Sequence, residues 1–249
     1  MTEKPSALLR KVRQELARIA DPERAPAMQA YMKSDMPYHG LPMPLVRSTS
    51  RALFKDYAFD SAEQWQQDVL ALWRGARFRE ERYVAIALTG DKRARAFQTM
   101  DALPMYEAMI VSGAWWDYVD EIASHRLGQL LKRFPKPMRR QMLLWSKDAD
   151  MWRRRSAILC QLNFGADTDL ELLYACFEPS LTSKEFFLRK AIGWALRQLA
   201  RIQPEEVQSY VAAHPELSGL TQREALKHIG PSLTRTKAKD TKTSAAKRR

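Results

Sequence analysis

The segment Gly113-Ala-Trp-Trp-Asp-Tyr-Val-Asp120 places Trp116 and Asp120 four residues apart, on one face of a helix. A carboxylate beside an indole is a pair suited to positive charge. The indole shields the acid from water and offers a π-face to a cation, and the carboxylate supplies the countercharge. Trp115 and Val119 fall on a neighbouring face that fits a core. The same spacing also fits a plain amphipathic helix with both tryptophans packed inside and Asp117 and Asp120 solvated.

Two further segments carry chemistry-bearing residues. In Trp152-Arg-Arg-Arg155-Ser-Ala-Ile-Leu159, three consecutive arginines fan over most of a helix circumference, so they cannot all be buried. At a helix start their donors and the free backbone amides suit phosphate, and a solvated charge run is the alternative. In Ser183-Lys-Glu-Phe-Phe-Leu-Arg-Lys-Ala-Ile-Gly-Trp194, Lys190 and Trp194 share a face, and Gly193 removes bulk beside the indole. Close approach of a ligand and tight helix–helix packing both explain that glycine, which costs about 1 kcal/mol against alanine inside a helix.

Several other chemistries lack their residues. The four histidines, His39, His125, His214 and His228, are scattered without metal-ligand spacing. No GxSxG, Walker or GxGxxG pattern is present. Cys160 and Cys176 lie in helical runs and read as buried thiols, too few for a disulfide framework. Neither a cofactor nor a metal is expected.

The elements that must position these residues are helical. Leu8, Leu9, Val12, Leu16 and Ile19 recur at spacings of three and four. Ser61 with Gln64, Thr168 with Glu171, Thr182 with Glu185, and Thr221 with Glu224 read as helix starts of the capping-box type. Prolines and glycines punctuate the runs, and no alternating strand pattern is found. Only 9 glycines in 249 residues argue against a turn-rich β chain. About a dozen helices, in pairs recurring every ~35–45 residues, predict an all-α fold, a HEAT-like or ARM-like repeat α-solenoid with a concave basic groove. A globular helical bundle is the structural alternative.

The net charge is +12, and half of it sits in residues 231–249, where seven lysines and arginines face Asp240 alone. This stretch reads as a disordered basic tail behind a folded domain over residues 1–230. Basic body and basic tail together suggest a polyanionic partner, with nucleic acid leading, through phosphate neutralisation. No run is long and apolar enough for a bilayer, and the charged start MTEKPSALLRK is unlike an export signal, so the chain is expected in the cytoplasm, associated with the nucleoid.

Across these three segments the sequence resembles the AlkD-type DNA alkylation-repair glycosylases. The stretches that carry the resemblance are YMKSDMPYHGLP, WWDYVD, WRRRSAIL, SKEFFLRKAIGWALRQ and LSGLTQREALKHI, in family order over about residues 5 to 230. The resemblance implies a HEAT-like solenoid. It also implies a monomer that removes positively charged alkylated purines, such as 3-methyladenine and 7-methylguanine, from double-stranded DNA. Carried over by motif, the essential acid falls on Asp120, its partner indole on Trp116 and a second tryptophan on Trp194. The DNA contacts fall on Arg155 and Tyr31, with Arg154 and Lys190 beside them. The basic tail lies outside the family pattern. Two other uses of the same scaffold remain open: a non-catalytic DNA-binding repeat protein that recognises damaged or branched DNA, and a protein-binding scaffold.

Overall fold

A computed structural model describes residues 6–229, so the basic tail lies outside the described residues. Every regular element among them is helical. The chain forms two compact units that divide after Cys160. The division falls within the stretch expected as one domain.

The first unit holds α1 (Ala7–Arg18), α2 (Ala25–Met32), α3 (Met43–Phe54), α4 (Ala62–Gly75), α5 (Arg79–Thr89), α6 (Leu103–Gly113), α7 (Trp116–Glu121), α8 (Gly128–Arg133), α9 (Pro135–Trp145) and α10 (Met151–Leu159). The second holds α11 (Leu170–Phe177), α12 (Phe186–Leu199), α13 (Pro204–Ala213) and α14 (Gly219–Ala225). Helices near in sequence pack on one another, as α4 does on α5 and α12 on α14. This is the all-α, repeat-type architecture of the α-solenoid class, and no helix among the described residues is long and apolar enough to cross a membrane.

Local sequence explains the elements. Leu9, Val12 and Leu16 of the first apolar stripe are buried. Ser61 caps α4 by accepting the Gln64 N–H at 3.1 Å, and Trp65, Val69, Leu72 and Trp73 behind it are buried. Two of the other three expected starts are displaced by better-placed caps, and the third helix begins later with no side-chain cap. Asp169 caps α11 through the Leu172 N–H, while Thr168 turns its hydroxyl to the Gly165 carbonyl. α12 starts only at Phe186. Ser218 caps α14, which puts Thr221 and Glu224 inside that helix. A serine or aspartate next to the true start captured the free amides in each capped case.

One run after α7 departs from α-helical winding. Ile122–Leu127 is a π-helix, and Gly128 N–H reaches back five residues to the Ala123 carbonyl. Before α7, Ala114 adopts a left-handed conformation with φ of 42° at the end of α6. A non-glycine residue there costs on the order of 1 kcal/mol. Gly113 beside it is needed for space, since a Cβ would stand 2.8 Å from the Trp73 ring.

Candidate active site

α7 is six residues long and starts without a side-chain cap. It is held from both sides by arginines. From α10, Arg155 donates Nε to Asp120 Oδ1 at 2.7 Å and Nη2 to Oδ2 at 2.8 Å, a fork-to-fork ion pair. Arg155 is almost wholly buried, whereas the Asp120 side chain keeps 12% of its surface. That exposed edge is what a carboxylate needs to meet a substrate. Burial pushes the Asp120 carboxyl above its ordinary value, Arg155 opposes the push, and the Asp117 charge adds to it. The backbone carbonyl of Asp120 accepts the Ser124 hydroxyl at 2.6 Å, from inside the π-helix.

From α5, Arg79 Nη2 reaches both Asp117 oxygens at 2.7 Å. The Tyr83 hydroxyl donates to Asp117 Oδ2 at 2.6 Å and lies 3.2 Å from the Tyr38 hydroxyl. The Arg79 guanidinium also sits 4.2 Å over the Tyr118 ring. Asp117 is therefore a paired, mostly buried charge, which corrects the reading of it as solvated. Burial and the neighbouring Asp117 charge both drive the Tyr83 hydroxyl far above its ordinary value, so it stays a donor. Sequence reasoning passed over Arg79 and Tyr83, because Arg79-Glu80-Glu81-Arg82 reads as an exposed charge run when it is in fact largely buried.

The same turn of α5 organises the segment after α2. Glu80 is fully buried and accepts the backbone N–H groups of His39, Gly40 and Leu41 at 3.0 to 3.1 Å. Gly40 has φ of +83° and packs so closely that a Cβ would fall 2.0 Å from the Asp21 carbonyl oxygen. Tyr31, at the end of α2, is 78% exposed.

The arginine run is also settled by its surroundings. The Asp150 side chain accepts the amides of Trp152 and Arg153 at 2.8 and 2.9 Å, so these are not open to phosphate as expected. Arg153 pairs with Glu107 at 2.8 Å and Asp148 at 3.1 Å. Arg154 is half-buried. The expectation for Arg155 narrows, because Nε and Nη2 are committed to Asp120 and the side chain is almost wholly buried. Trp116 opens α7, one turn before Asp120, and is half-buried. Trp115 lies 6.3 Å from Trp152, ring to ring, and Val119 is fully buried.

In the second unit, Lys190 Nζ is 2.6 Å from Glu224 Oε1, and Arg197 Nη1 is 2.8 Å from Oε2. Gly193 faces α14, where a Cβ would stand 2.6 Å from the Glu224 Cβ. Helix packing therefore explains that glycine. Lys190 is partly neutralised, with its side chain 40% exposed, and Trp194 is half-buried. The structure thus joins Asp120 to Arg155 directly, sets Trp116 one turn away and leaves Tyr31 exposed on α2. It places Trp194 and Lys190 in the second unit.

Comparison with known proteins gives a family. The family model described as DNA alkylation repair enzyme matches residues 12–229. No curated protein matches. Among solved structures, the chain is similar to a predicted DNA alkylation repair enzyme from Enterococcus faecalis. The TM-score is 0.77 and the identity 30%, covering 86% of this chain and 98% of that one.

Proposed function

The chain belongs to the DNA alkylation repair enzyme family, and from that membership we propose that it is a DNA-alkylpurine N-glycosylase, hydrolysing the bond between deoxyribose and a positively charged purine. The observation that carries this reading is the Asp120–Arg155 pair. It is a mostly buried carboxylate with an open edge, held rigidly one turn from an indole.

Alkylation at N3 or N7 puts positive charge on the purine, so the base is already a good leaving group and needs little protonation. Bond breaking leaves an oxocarbenium-like sugar, as in other glycosidic cleavages. Asp120 stabilises that cation and orients the attacking water. Trp116 offers its π-face to the sugar, and Trp194, carried over from the family motif, is assigned to the DNA backbone. Arg155 fixes the carboxylate, and Tyr31, Arg154 and Lys190 contact the DNA backbone, which sets register without reading sequence. Selectivity comes from the lesion's own charge in place of a base-holding pocket. The partner is double-stranded DNA carrying 3-methyladenine or 7-methylguanine.

The test is to incubate the purified protein with methylated duplex DNA and separate the released bases by chromatography. Free methylpurines from the parent protein, and none from Asp120→Asn, support the assignment. Binding to the duplex without any base release would leave a non-catalytic DNA-binding protein.

A further inference from the structure

We propose that Arg79 and Asp117 are positioning residues for Asp120: their ion pair moors the first turn of α7 to α5, and the Arg79 guanidinium masks the Asp117 charge so that Asp120 stays ionised. The proposal rests on the reading of Asp120 as the acting carboxylate.

Geometry carries the mooring. α7 opens a continuous helical run that passes through Ile122–Leu127 into α8, and its first turn has no side-chain cap, so that turn depends on tertiary contacts to hold it. Asp117 lies in its first turn, between Trp116 and Asp120. One Arg79 nitrogen grips both of its oxygens, and Tyr83 adds a third hydrogen bond. Arg79 is itself fixed. Its backbone N–H donates to the Pro37 carbonyl at 3.0 Å, its Nη1 donates to Ser34 Oγ at 3.3 Å, and its face lies on Tyr118. A single buried guanidinium therefore ties the turn that follows Tyr31 to the helix that carries Trp116 and Asp120.

Electrostatics carries the masking. Asp117 and Asp120 are three residues apart on one helix, two carboxylates that share a face. Unpaired, each would oppose ionisation of the other. The arrangement gives each acid its own arginine, Arg79 from α5 and Arg155 from α10. Arg82 of α5 adds a positive charge nearby, its guanidinium 4.7 Å over the Trp73 ring and 5.6 Å over Tyr118, and Arg154 of α10 adds another, half-buried, while other charges pair elsewhere. Glu107 of α6 takes Arg153, and Glu121 takes His125 and Arg126 of the π-helix. Tyr38 and Tyr83 complete the cluster as neutral hydroxyls.

The roles separate in the pH dependence of base release, with Asp120 required in its ionised form. Arg79→Met unmasks Asp117 and moves the acid limb to higher pH. Asp117→Asn removes the negative charge and moves it to lower pH. Each shift is expected to be about half a unit or more. The double variant Arg79→Met/Asp117→Asn restores a neutral site and returns the limb toward that of the parent. A merely structural pair predicts rate loss in every variant with the limb unmoved. The experiment measures release of 7-methylguanine from methylated duplex across pH, with spontaneous depurination subtracted and circular dichroism confirming the fold. If Arg79→Met does not fold, the Asp117→Asn shift and its size in the parental background decide the matter. Limbs that stay fixed, or move in the same direction in both single variants, overturn the proposal while leaving Asp120 in place. Full activity of Asp120→Asn, or no base release by the parent, overturns the Asp120 reading and the proposal with it.

Discussion

Asp120 and Arg155 are separated by 35 residues and meet through two parallel hydrogen bonds of 2.7 and 2.8 Å. Removing either partner strands the other in a dry setting. Arg155→Ala should therefore destabilise the protein by about 3–5 kcal/mol, the range for a broken buried pair. Thermal unfolding checks this. Arg155→Lys keeps the charge but loses the planar fork, and base release should fall well below the parental rate. A loss of phosphate contact alone would leave the melting temperature unchanged and flatten the salt dependence of DNA affinity by about one unit.

Asp120→Asn keeps size and shape but cannot carry the countercharge. Excision of 7-methylguanine should drop by a factor of at least about 10². Affinity for undamaged duplex should change little. Single-turnover base release and fluorescence-anisotropy titration on the same preparation separate the two. An equal loss in both would mark Asp120 as a structural residue.

Under the proposed function, the raised Asp120 carboxyl should set the pH response of base release. Base release is lost as pH falls through that elevated value, so the acid limb lies above the ordinary aspartate range of about 3.9. Stability behaves otherwise. Glu224 is held below its usual 4.5, chiefly by Lys190, so its contribution is complete above that value and is lost as pH falls through the lower, folded one. Melting temperatures across this range should decline in the parent, and less steeply in Glu224→Gln.

Charge on the lesion is the proposed source of selectivity. Duplexes carrying a neutral damaged base should be bound but not cleaved, while 7-methylguanine in the same sequence is released. Efficient release of a neutral lesion would call for a base-holding site.

Glu80 gathers three backbone N–H groups while fully buried. Glu80→Gln replaces an acceptor-only group by one with two donors, and at least one amide loses a charge-assisted bond. The expected cost is about 1–3 kcal/mol in urea denaturation. Base release per folded molecule should be preserved, since the Glu80 hydrogen bonds go to His39, Gly40 and Leu41.

Much of this was legible in the residues. The all-helical character followed from spacings such as Leu9, Val12 and Leu16, and the tie between Trp116 and Asp120 from their four-residue interval. The opposite partner of each acid was not. Arg155 reads as one of three arginines in a row, and nothing local says which is turned inward. Arg79 and Glu80 begin a helix where acids and bases are ordinarily solvated. Their burial depends on Tyr38, Gly40 and Tyr118, residues distant in sequence, and no periodicity reports such partners. Caps failed for a simpler reason, because Asp169 and Ser218 stand a few positions from the expected threonines and reach the amides first.

The wide winding at Ile122–Leu127 gives the helical segment that carries Trp116 and Asp120 a built-in length standard. One surplus residue is stored there, directly behind Asp120. Excising a single residue from that stretch would let it relax to ordinary pitch with α7 nearly unturned relative to Leu130 and Leu131, whereas inserting one more would swing everything before it by about 100°. With the insertion the acid and its tryptophan would aim elsewhere, so this spot should accept the loss of one residue far better than the gain of one.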